Sequence, residues 1–78
     1  EIQSRLNKGL CEISGVALVI VAGQGRSALS PSIDRILPQN GYVLANVRIV
    51  AYALNTAMGD WGLAPVLQIA EALMKREI

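Results

Sequence analysis

Residues Gly15 to Ala28 read GVALVIVAGQGRSA, an apolar run that passes directly into Gly23-x-Gly25-x-x-Ala28. Three structures compete for this stretch: a buried strand feeding a dinucleotide-binding loop, part of a membrane anchor, or the end of a helix. The residues upstream favour the helix. Ile2, Leu6, Leu10, Ile13, Ala17 and Ile20 recur at spacings of three and four, with Arg5, Lys8 and Glu12 off that stripe. This pattern predicts one helix over about residues 2–22, tolerating Gly9 and Gly15 at about 1 kcal/mol each.

The second half of that helix is apolar on every side, and a helix of that kind needs cover all round. Its tip is therefore the expected docking surface, formed by Cys11, Ser14, Gly15, Leu18, Val19 and Ala22, with Trp61 as a further contact. Tryptophan is a frequent anchor at interfaces.

Downstream, Asn40 and Gly59 bracket a segment in which Val43, Leu44, Val47, Val50, Leu54 and Met58 share one helical face. A helix is expected over about 41–58. Another is expected over about 61–76, where Leu63, Val66, Leu67, Ala70, Leu73 and Met74 align and Pro65 falls in the first turn. Ser30-Pro31 opens a short helix over about 31–37, ended by Pro38. The expected fold is all-α: a single domain over 1–78, three main helices and one short one, assembled as a homodimer.

Composition supports association. The 78 residues are 53% apolar with mean hydropathy +0.42. A domain of this size buries only about 60% of its unfolded surface, so so much apolar material exceeds what one small core hides. Charge offers little to an acidic partner. Seven basic and six acidic residues give a net +1, scattered without a basic stripe. The single cysteine, Cys11, rules out a disulfide within the chain and suits a reducing cytoplasm.

The chemistry expected of the chain is sparse. It has no histidine, so a Ser–His–Asp triad or Cys–His pair is impossible. No catalytic, cofactor or metal site is expected, and the leading expectation is a non-enzymatic regulatory protein that docks on other proteins. One alternative is a DNA-binding regulator with a helix-turn-helix at 31–58, although of its reading-end residues only Asn46 suits base contacts. Another is a nucleotide-binding βα fragment using the Gly23-x-Gly25-x-x-Ala28 loop. That loop lacks the acidic residue about 20 positions on, where Ala45 stands. The apolar run Val16 to Ala22 is too short to span a bilayer, which takes about 20 residues, so membrane association is not expected.

Overall fold

The computed structural model describes residues 1–21 and 23–76. It is mixed α/β rather than an all-α bundle: three helices accompany a two-stranded antiparallel sheet. In chain order these are α1 (Ile2–Asn7), β1 (Pro31–Arg35), β2 (Val47–Ala51), α2 (Tyr52–Met58) and α3 (Leu63–Met74). Short 3-10 turns at Pro38–Asn40 and Leu44–Asn46 lie between the strands.

Three of the four expected helices are corrected. The helix over 2–22 stops at Asn7, because Gly9 and Gly15 adopt φ of +68° and +78°, a left-handed conformation that no helix interior accepts. The chain instead doubles back as a small loop pair. Cys11 N donates to Val16 O at 2.8 Å, Leu18 N donates to Gly9 O at 2.7 Å, and Leu10 bridges Ala17. The short helix over 31–37 is replaced by β1, and the helix over 41–58 survives only as α2. Its earlier part, Val47-Arg48-Ile49-Val50-Ala51, is β2. β-Branched residues suit a pleated strand, and a strand covered on both faces shows no alternation; all of β2 except Arg48 is buried. The helix expected over 61–76 is found as α3, with Pro65 in its first turn.

Register is set by residue pairs summing to the same total, from Pro31 opposite Ala51 to Arg35 opposite Val47. Ile36 N donates to Asn46 O and Tyr52 N donates to Ser30 O, both at 2.8 Å, so the even-numbered residues of β1 face β2 with their backbone groups. The odd-numbered residues turn theirs outward. Asp34 and Arg48 stand opposite one another and pair, Arg48 Nε donating to Asp34 Oδ2 at 3.0 Å. The core is small. Cys11, Val50, Ala51 and Met58 form its centre, with Ile13, Leu18, Leu54, Leu63 and Val66 packed around them.

The long strand connection is held by one buried side chain. Asn46 Oδ1 accepts from Leu37 N at 3.0 Å, and Nδ2 donates to Leu37 O at 2.8 Å and Gly41 O at 2.7 Å. Gly41, at φ +70°, is one of the points where the path needs a left-handed residue. Replacing Asn46 with Ala strands two carbonyls and an amide, and should cost about 2–3 kcal/mol in urea unfolding. Asn46→Asp should cost at least as much at neutral pH, since a carboxylate then faces the same two carbonyls. Part of that loss should return on acidification, as the carboxyl takes up a proton and regains a donor.

Candidate docking surface

The two edges of the sheet are treated differently. At β2 the outward groups are met by side chains from the N-terminal region. Glu12 acts as a one-residue strand partner: its N donates to Ile49 O at 2.8 Å, and its Oε1 accepts from Ile49 N at 2.8 Å. Arg5, near the end of α1, grips the same carboxylate through Nε to Oε2 at 2.8 Å and Nη2 to Oε1 at 2.6 Å. Arg5 Nη2 also donates to Val47 O at 2.7 Å. This fork-to-fork geometry is the strong form of the Arg–carboxylate contact. The Arg5 hydrogen bond, supported by Ile49 N and by the Arg5 charge, outweighs desolvation and lowers the Glu12 pKa to about 2.

Ala51, at the end of β2, and Cys11 are buried together in the core. Burial pushes the Cys11 thiol up. Hydrogen bonds from Ser14, at 3.5 Å from its backbone N, and from the Ala51 and Ile13 backbone outweigh it, so the net shift is downward.

β1 leaves its outer edge open. Ile33 and Arg35 point N–H and C=O away from β2, and Pro31 points C=O the same way. Pro31 has no N–H to lose there, which is why a proline is accommodated in this strand. Among the described residues one side chain reaches this edge: Asn55 Nδ2 donates to Ile33 O at 3.3 Å. Three clefts of about 400, 240 and 150 Å³ adjoin it, and Ile33 and Tyr42 line all three. Arg35 stacks over the Tyr42 ring at 4.8 Å, and Tyr42 is 69% exposed.

A second apolar surface lies on α3. Only its start packs on the core, through Leu63 and Val66. Leu67, Ile69, Leu73 and Met74 are exposed, and a shallow groove of about 210 Å³ runs between Ala57 and Leu73.

The residues expected to dock from sequence are scattered across these features. Cys11 is buried and Leu18 half-buried in the core of the single chain. Ser14, Gly15 and Val19 are exposed on the doubled-back loop, and Trp61 is 81% exposed at the α2–α3 turn. Ala22 lies outside the described residues. The helix that was to unite them does not form. Residues 31–58, proposed for a helix-turn-helix, contain both strands, and the Gly23-x-Gly25-x-x-Ala28 loop leads into β1 rather than into a helix. Among the described residues no cluster of three His, Cys, Asp or Glu could hold a metal, and no helix is long and apolar enough to cross a membrane.

Sequence reasoning overlooked Arg5, Glu12, Ile33 and Tyr42. Ser32-Ile33-Asp34 does alternate polar and apolar, and the turn-rich Pro38-Gln39-Asn40-Gly41 separates it from a β-branched run. That combination is a hairpin signal. The chain matches no family model, no curated protein and no solved structure.

Two predictions follow from this geometry. Leu18→Asp places a charge against the core and should destabilise the fold by about 3 kcal/mol or more, whereas Val19→Asp on the exposed loop should stay within about 0.5 kcal/mol; paired urea melts separate them. For Glu12, a folded pKa of about 2 lies below its ordinary 4.5. The lowered value means that the clamp contributes fully above about pH 4.5 and is lost as pH falls toward 2. The stability gap between wild type and Glu12→Gln should therefore be widest near neutral pH and shrink between pH 4.5 and 2.

Proposed function

We propose that this chain is a non-enzymatic interaction module that works by docking, first of all on a second copy of itself. The supporting observation is its surface. The chain exposes 5858 Å², whereas a compact monomer of 8.3 kDa exposes about 4,600 Å². Its radius of gyration, 13.5 Å, likewise exceeds the roughly 11.5 Å of a compact 78-residue domain.

The surplus is about 1,300 Å², and the exposed surface includes large apolar residues such as Ile20, Tyr42, Trp61, Ile69 and Met74. A standard interface removes roughly 800 Å² from each partner. One such contact would remove more than half of that surplus. The single buried thiol is compatible with a reducing compartment such as the cytoplasm.

Light scattering across a dilution series tests this reading. The expected mass at tens of micromolar is twice the 8.3 kDa of one chain, falling toward a single chain on dilution. A mass of one chain throughout, with the fold intact by circular dichroism, would overturn it.

A further inference from the structure

Resting on the self-docking reading, we infer that the open edge of β1 is where two copies meet: β1 pairs antiparallel with β1 of a second copy, about a two-fold axis at Ile33, and the two hairpins merge into one four-stranded sheet.

The backbone supplies the donors and acceptors. With Ile33 on the axis, each Ile33 N–H donates to the Ile33 C=O of the other copy, and each Arg35 N–H donates to the opposite Pro31 C=O. The Ile33 carbonyl already accepts from Asn55 Nδ2, but a carbonyl has two lone pairs and can serve both. Charge disfavours shifts in one direction, and Pro31, which has no N–H to give an opposite Ile33 carbonyl, disfavours the shift in the other. A shift of the pairing in one direction sets Asp34 against its own copy, and a further shift does the same to Arg35; like charges directly opposite are destabilising. With Ile33 on the axis, Asp34 faces Ser32 and Arg35 faces Pro31 instead.

The flanks fit a second copy as well. The clefts on either side of the edge share Ile33 and Tyr42, so the residues that line them are also those a two-fold mate would bring to fill them. An isologous contact of this kind is self-complementary by symmetry. The pairing also closes. The far edge of each hairpin is already engaged by Arg5 and Glu12 at Val47 and Ile49, so among the described residues it does not offer a second free strand edge from which a filament could grow.

Backbone amide exchange read by NMR tests the proposal, because neighbouring residues of β1 answer differently. Ser32 and Asp34 amides face β2 and should be protected at every concentration. Ile33 and Arg35 amides should exchange freely in dilute samples and slow by about tenfold or more as the chain assembles. An assembled species in which Ile33 and Arg35 still exchange at their dilute rate overturns this edge while leaving self-docking standing, as expected if α3 formed the contact. A strict monomer overturns both. Ile33→Pro removes an N–H that β2 does not use, and should abolish assembly with the hairpin retained, whereas Ile33→Val should preserve assembly. If Ile33→Pro fails to fold, the exchange measurement on the unaltered chain decides alone.

Discussion

The fold depends on how β2 has its hydrogen bonds completed on the side away from β1. A two-stranded hairpin is marginal in water by itself. Here the second edge is engaged by an arginine and a glutamate drawn from one short N-terminal stretch. Glu12 is central, because its backbone N and its carboxylate engage the same residue, Ile49, and its carboxylate also anchors Arg5. This converts a hairpin edge into an interior position and leaves Ile49 and Val50 fully buried. Remove the clamp and α1 has little else to hold it: no residue of α1 is itself buried.

That clamp also explains what the sequence concealed. Arg5 and Glu12 are seven residues apart and read naturally as the polar flank of a helix. Their role appears only once Gly9 takes φ +68° and folds the stretch back. The same local string that supports a helix by periodicity contains the two residues that end it. In β2 the difficulty is different. Burial on both faces erases the alternation by which a strand is recognised, and Val47, Val50 and Leu54 happen to match a helical spacing. Tertiary pairing with β1 overrides that coincidence. α3 was legible because nothing competes: a glycine with positive φ precedes it, Pro65 lies in its first turn, and its apolar positions repeat without interruption.

The candidate site was partly legible. Excess apolar content is a matter of composition, so the expectation of association drawn from it does not depend on whether the fold is a helical bundle or a mixed α/β structure. The helix tip on which the docking surface was expected does not form, because the chain turns back after Asn7 at Gly9. Cys11 and Leu18 are apolar or neutral residues in an apolar stretch, and nothing in their spacing separates a core position from a docking one. The distinction comes from which side of the loop faces Met58 and Val50.

The asymmetry between the sheet edges carries the functional argument further than exposure alone. Exposed leucines and valines are common on folded proteins and commit the chain to no particular partner. An unpaired strand edge is more specific, because its donors and acceptors come at fixed intervals and demand another extended backbone. In this chain the edge is short, bounded by a proline at one end and an arginine at the other, and placed between clefts that share Ile33 and Tyr42. Natural sheets use prolines and charges to limit edge pairing. Pro31 and Arg35 stand at the two ends of β1, and the backbone groups of Ile33 between them remain directed outward. A strand limited in this way, in a sheet whose other edge is already engaged, can accept one partner strand and no more.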